Sequence, residues 1–130
     1  MNSPMEAQCE RFSAFLSGYD GSFVEGVHLS AAGSRDSLEV RVMGELDRPP
    51  LTILLESVHA LVLQKPVDLD GAFVDAFTVQ FLPKGDRPWP ADCQSLLKRH
   101  SGLPDLYRVR LVGPVYLDAA AAIMTVSVGI

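Results

Sequence analysis

The clearest strand pattern of the chain lies in residues 37–63, SLEVRVMGELDRPPLTILLESVHALVL. It opens with a strict alternation of apolar and polar side chains, which is typical of a strand with one buried face. GELDRPP then indicates a turn, because its prolines cannot continue a sheet, and the alternation resumes in LTILLES. The stretch therefore predicts two strands joined by a turn, with a bulge or tight corner at Glu56 and Ser57 before the denser apolar run 58–63.

Further strands are predicted on both sides of this pair. Upstream, alternating apolar residues place a strand near residues 22–30. Downstream, Phe73, Phe77, Val79 and Phe81 indicate another, and two or three more follow from residue 107 onward. Because short turns join most of these segments, we expect mostly antiparallel pairing.

An N-terminal helix is predicted over residues 4–17. Its apolar residues recur at helical spacing, and Ser3 and Pro4 suit the positions that begin a helix. Glu6 falls three residues after Ser3, as in a capping box, and Gly18 suits the end of the helix.

A second, shorter helix is predicted over residues 91–101, with Cys93, Leu96, Leu97 and His100 on one face. Together the elements predict one α+β domain spanning residues 1–130. Its sheet is mostly antiparallel and either curved or doubled into two layers, and the two helices pack on it.

The composition narrows the class of protein. Hydrophobic residues make up 48% of the chain and charged residues 21%, which argues against disorder. No apolar run approaches the roughly 20 residues of a membrane span, and no basic segment precedes an apolar one at the N-terminus. We therefore expect a cytoplasmic protein without a membrane association. The net charge of −5 argues against non-specific nucleic-acid binding.

The charge is distributed unevenly along the chain. Residues 36–75 are dominated by acidic side chains, whereas residues 84–110 carry more bases than acids. Two interpretations stay open: a solvated surface with chance clustering, or an acidic face that steers a basic partner.

Motifs for catalysis, metal or phosphate binding are missing from the sequence. The three histidines, His28, His59 and His100, are far apart, and no HExxH, CxxC or HxH spacing occurs. DLDG at 68–71 lacks the later glycine and glutamate of a calcium loop. We therefore predict no metal or cofactor, and we expect Cys9 and Cys93 to be free, half-buried thiols.

One loop stands out as a binding candidate. The segment LPKGDRPWPADC, residues 82–93, is stiffened by three prolines and presents Trp89 close to Arg87. Trp and Arg are enriched at binding hot spots. The alternative is that Trp89 folds back and packs on Leu96 or Leu97.

The overall pattern resembles that of small β-rich immunity proteins of bacterial polymorphic toxin systems. The similar segments are DGSFVEGVHLS, SLEVRVMG, PLTILLESVHALVL and LYRVRLVGPVYLDAAAAIMTVSV. The resemblance implies a cytoplasmic, non-catalytic inhibitor that neutralises a toxin by tight binding. It contains no catalytic or metal motif, so no residue role is carried over from it.

The sequence thus favours a protein-binding domain over an enzyme. We expect its partner to be a protein, such as a basic toxin domain, and a homodimer is a further alternative. The predicted binding surface consists of Trp89, Arg87, Glu39, Glu45, Asp47, Asp68 and Asp70.

Two other functions stay open. A small enzyme or ligand-binding fold would use a pocket in the curved sheet, built from Asp75, His59 and Tyr107. Such a site needs a concave pocket with convergent polar groups, whereas an inhibitor needs a filled core and an exposed patch. A self-assembling structural component is the third alternative.

Overall fold

A computed structural model describes residues 3–31, 36–64 and 73–129. Its elements are helix α1 (Pro4–Ser17), strands β1 (Val24–Ser30), β2 (Ser37–Val42), β3 (Leu51–Gln64) and β4 (Ala76–Leu82), a short 3-10 helix (Ala91–Ser95), and strands β5 (Leu106–Val112) and β6 (Tyr116–Val128). The strands form a six-stranded antiparallel sheet in the order β1-β2-β3-β6-β5-β4. The predicted α+β class with an antiparallel sheet is confirmed.

The long pair β3 and β6 runs through the middle of the sheet. It extends from the Leu51–Val128 pair to the Gln64–Tyr116 pair. β2 and β1 continue the sheet from the start of β3, whereas β5 and β4 continue it from the start of β6. The sheet therefore has a first half (β1, β2, residues 51–56 and 123–128) and a second half (β4, β5, residues 58–64 and 116–121).

A corner in β3 separates the two halves, at the place where the sequence predicts a bulge or corner. Ser57 has a φ of 55°, an unusual conformation for a residue other than glycine. The side chain that faces the core changes there from Leu55 to Val58, and the pairing register with β6 shifts once, between Val58 and Ala60. As a result, both halves contribute side chains to one hydrophobic core.

Helix α1 packs on this core and begins as the sequence predicts. Ser3 Oγ accepts a hydrogen bond of 3.1 Å from the Glu6 amide, and Cys9 and Leu16 are buried. The Glu6 carboxylate, the other half of the predicted capping box, pairs with Arg87 at 3.2 Å. The concave face of the sheet is thus filled by the helix and by apolar strand residues.

The segments that lead into the two edge strands meet each other. Phe23, just before β1, forms a bridge with Phe73, which precedes β4. The Gly21 amide donates to the Val74 carbonyl at 2.7 Å, and the Val74 amide donates to the Ser22 carbonyl at 3.0 Å. These bonds hold the sheet in its curved form around α1.

The predicted helix over residues 91–101 is wrong in its extent. The structure has only the 3-10 helix Ala91–Ser95, and residues 97–100 are not helical. The Arg99 guanidinium donates to the carbonyls of Pro83 and Gly85 and lies 4.7 Å from the centre of the Trp89 ring. These contacts with the preceding loop draw Arg99 away from a helical path.

Gly44 begins the β2–β3 turn and leaves no room for a side chain. A Cβ there would lie 2.5 Å from the Pro50 nitrogen, whereas a Cβ at Gly26 would meet no heavy atom within 4 Å. We expect Gly44→Ala to lower the free energy of unfolding by about 1–3 kcal/mol, because the turn must shift. Gly26→Ala, the matched control, should leave it unchanged or slightly higher. Urea denaturation measures both, and equal effects would contradict the description of the turn.

Candidate functional site

Residues 83–105, here called the covering segment, lie over the outer face of the second half of the sheet. This segment and the strands beneath it form a small second core. The buried members of this core are Leu82, Cys93, Leu103, Leu106 and Ala120, and Trp89, Leu96 and Leu97 pack against them. The outer face of the second half is therefore shielded from water.

The most deeply buried charge of the described residues lies beneath this segment. The Arg108 side chain on β5 is only 1% exposed, and it makes two hydrogen bonds to Asp118 on β6, Nε to Oδ1 at 2.9 Å and Nη2 to Oδ2 at 2.7 Å. Its Nη1 donates to Asp92 at 2.8 Å, to Gln80 at 3.1 Å and to Cys93 Sγ at 3.0 Å. Each nitrogen of the guanidinium thus has a partner within the protein.

Asp92 connects this buried pair to the surface. One of its oxygens accepts from Arg108, and the other accepts from Arg110 Nη1 at 3.0 Å. Tyr116 Oη lies 3.3 Å from Asp118 Oδ2. Two arginines and two aspartates therefore balance each other, and the cluster fastens the 3-10 helix to β5 and β6.

The pKa shifts agree with a structural role for this cluster. Hydrogen bonding from Arg108 lowers the pKa of Asp92 below its ordinary value of 3.8, and hydrogen bonding to Asp118 raises the pKa of Arg108. Burial raises the pKa of the Cys93 thiol despite the nearby guanidinium. Burial also raises the pKa of Cys9 to about 12, with a smaller contribution from Glu6 and Glu10. Both cysteines are free and buried, and at neutral pH they are thiols rather than nucleophilic thiolates.

Trp89 and Arg87 both make contacts within the protein. Trp89 is half-buried, packs in the second core, and donates from Nε1 to the Pro83 carbonyl at 2.8 Å. Arg87 pairs with Glu6 at 3.2 Å and lies over the Phe81 ring. The structure therefore shows the folded-back conformation of Trp89 that the sequence leaves as an alternative.

The acidic residues of the predicted surface lie in two places. Glu39 is on the outer face of β2, where it pairs with Arg41 at 3.0 Å. Glu45 and Asp47 are in the β2–β3 turn beside Arg48. Asp68 and Asp70 lie outside the described residues, as does the DLDG segment. The structure brings Glu45 and Asp47 together but separates both from Trp89, which belongs to the β4–β5 connection.

The three residues of the alternative pocket do not converge. Asp75 is exposed, and its amide donates to Val112 at the end of β5, whereas Tyr107 lies at the other end of that strand. Tyr107 packs with Phe12 in the main core, where burial raises its pKa above 10.0. His59 lines a shallow cavity of about 220 Å³ that neither of the other two reaches.

The outer face of the first half is open to solvent, since none of the described residues lies over it. The second half differs because the covering segment lies over its outer face. The side chains that point outward here, as the pairing of the strands shows, include His28, Glu39, Arg41, Thr52, Leu54, Glu56, Ile123, Thr125 and Ser127. Ile123 is 48% exposed. A shallow cavity of about 300 Å³ lies at the β1–β2 edge of this surface, which we call the uncovered face.

Comparisons with protein-family models, with curated proteins and with solved structures returned no match. Among the described residues, no three His, Cys, Asp or Glu side chains are placed so that they could hold a metal ion. No helix in the same part of the chain is long and apolar enough to cross a membrane.

Sequence reasoning missed the Arg108 cluster. Arg108 and Arg110 alternate with apolar residues, which is the pattern of a solvent-facing strand surface. The available signal was Asp118, a lone acid directly before four alanines in a strand that is otherwise apolar. An acid in such a strand needs a partner, and the preceding strand offers two arginines.

Removing Arg108 should be far more damaging than removing a surface arginine. We expect Arg108→Met to lower the free energy of unfolding by about 3–5 kcal/mol, because the buried Asp118 loses both hydrogen bonds from Arg108 and keeps only Arg110 Nε at 3.9 Å as a counter-charge. Arg41→Met is the matched control, since the Arg41 side chain is 62% exposed, and it should cost less than about 1 kcal/mol. Chemical denaturation measures the free energy of unfolding of both variants. Similar small losses of this free energy would show that the buried pair contributes little to stability.

The lowered pKa of Asp92 has a consequence for stability in acid. Between its folded and unfolded pKa values, the unfolded chain binds more protons than the native protein, so stability rises with pH. We therefore expect the contribution of Asp92 to be present at neutral pH and lost as the pH falls below about 4. Asp92→Asn should flatten this part of the profile in urea titrations at a series of pH values. An unchanged profile in the variant would contradict the assignment.

Proposed function

We propose that the protein is a non-catalytic protein-binding domain of the immunity type, which neutralises a basic toxin domain by binding it. The observation that supports this function best is the unequal covering of the sheet. The second half has its outer face under residues 83–105, whereas the uncovered face of the first half presents polar, charged and apolar side chains together. Mixed surfaces of this kind are common in interfaces between proteins.

The chemistry of the buried groups also favours binding over catalysis. Arg108 has its nitrogens bonded within the fold, and Cys9 and Cys93 are buried with raised pKa values. General acid–base and nucleophilic catalysis need groups that can reach a substrate in the correct protonation state. Among the described residues, these buried groups do not have that access.

The charge supports a basic partner. Several bases of segment 84–110 are bonded to acids of the same chain: Arg87 to Glu6, and Arg108 and Arg110 to Asp92. Because acids of the same chain neutralise these bases, the excess of negative charge in the net charge of −5 is carried by the other residues. Such an excess attracts a basic protein and speeds its association at low salt.

A pull-down from lysate of the source organism tests this function. We expect the wild-type bait to retain one basic protein in stoichiometric amount. At modest salt, the Glu39→Lys/Glu56→Lys bait should retain at least about tenfold less of this protein. Glu10→Lys is the matched control, because Glu10 is an exposed acid on α1. All three baits should have similar thermal midpoints.

The properties of the retained protein then distinguish an immunity-type inhibitor from a protein-binding domain of another kind. Its expression alone should arrest growth, and co-expression with the wild-type chain should restore growth. A retained protein without toxicity would contradict the immunity type and leave a binding domain. If none of the three baits retains a protein, the result contradicts protein binding as the function.

A further inference from the structure

The turn between β2 and β3 presents a leucine entirely to solvent. The Glu45 amide donates to the Arg48 carbonyl at 2.7 Å, and the Arg48 amide donates to the Glu45 carbonyl at 3.2 Å. Leu46 and Asp47 are therefore the two central residues of a tight turn, and Leu46 is the most exposed large apolar residue of those described. We call residues 45–48 the hairpin tip.

The hairpin tip is braced against the end of α1. The Arg48 guanidinium bonds to the Glu45 carboxylate and to the Gly18 carbonyl, and it lies 5.5 Å from the centre of the Tyr19 ring. Tyr19 Oη donates in turn to the Pro49 carbonyl at 2.8 Å. A turn held in this way loses little conformational entropy when a partner binds it.

Single exposed leucines are common on protein surfaces and need no explanation by themselves. Leu46 differs because it is held by a braced turn and because this turn directly continues the strands that carry Arg41 and Thr52. The tip therefore lies at the end of β2 and β3, beyond the Val42–Leu51 pair at which their pairing stops. Loops held by a rigid scaffold are frequent recognition elements.

The size of the uncovered face gives an independent reason to include the tip. Four strands about 4.8 Å apart and about five residues long provide on the order of 300 Å² of flat surface. A stable interface between proteins buries about 800 Å² on each partner. This flat footprint is smaller than the accessible area of a stable interface, so we expect a partner bound there to contact a neighbouring surface as well.

The charges at the tip indicate which kind of surface would be complementary to it. Carboxylates flank Leu46 on both sides, and the side chains of Glu45 and Asp47 are 46% and 85% exposed. Arg48 offsets one of these two charges. An apolar side chain between two carboxylates is complementary to an apolar pocket with basic side chains at its rim.

We propose that the hairpin tip anchors the partner by inserting Leu46 into an apolar pocket rimmed by Lys or Arg on that partner. This inference rests on the proposed function and adds the point of anchoring to it.

Photo-crosslinking in lysate of the source organism locates the contact. The crosslinking residue p-benzoylphenylalanine replaces Leu46 at the tip, Ile123 on the uncovered face, or Val62 on the far part of β3 as the control. We expect one adduct from position 46, none from Val62, and a crosslinked partner peptide that contains basic and apolar residues. Because Leu46 makes no core contact, this replacement should leave the thermal midpoint unchanged.

Affinities for the purified partner then test the side chain itself. We expect Leu46→Ala to weaken binding by at least about tenfold and Leu46→Met by less than about threefold, because Met fills an apolar pocket similarly. Adducts from Ile123 without any from position 46, or equal affinities of the Ala and wild-type forms, would overturn the anchoring and leave the proposed function standing. If no position gives an adduct and no bait retains a protein, both the anchoring and the proposed function are overturned.

Discussion

Arg108 carries a positive charge that has been taken out of water, and this requires the surrounding structure to supply its partners. Transfer of a charge into a protein interior is costly unless geometry and hydrogen bonding are good. Asp118 meets this need from the neighbouring strand, and Asp92 and Gln80 complete it. Because Asp92 belongs to the 3-10 helix, satisfying Arg108 also determines where residues 83–105 lie on the sheet.

The position of the covering segment makes the two halves of the sheet different. Beneath it, small side chains such as Ala120 allow Trp89 and Leu103 to approach the strands. In the first half most side chains on the same outer face are Thr, Ser, Glu, Arg or His, which tolerate water, and Leu54 and Ile123 lie among them. This difference between the two outer faces is the physical basis of the proposal that a partner binds the first half and the turn that continues it.

Much of the fold could be predicted because its signals are local. Ser3 and Pro4 begin α1 as expected, strict alternation locates β2, and the break at Ser57 is visible in the sequence. The covering segment could not be predicted, since its course depends on Arg108 and Arg99, which bond to residues distant in the chain. Of the proposed binding surface, the acids at the tip are visible in the sequence, whereas the exposure of Leu46 follows only from the turn.

On this structure, the Arg108 cluster fastens the covering segment to the second half of the sheet. Native-state hydrogen exchange tests it most directly, because the amides of Leu96, Leu97 and Leu103 bond within this segment. We expect these amides to exchange through the same opening as those of β5 and β6, with a similar free energy of opening. Much faster exchange of the three amides, with β5 and β6 still protected, would show that the cluster does not fasten the segment.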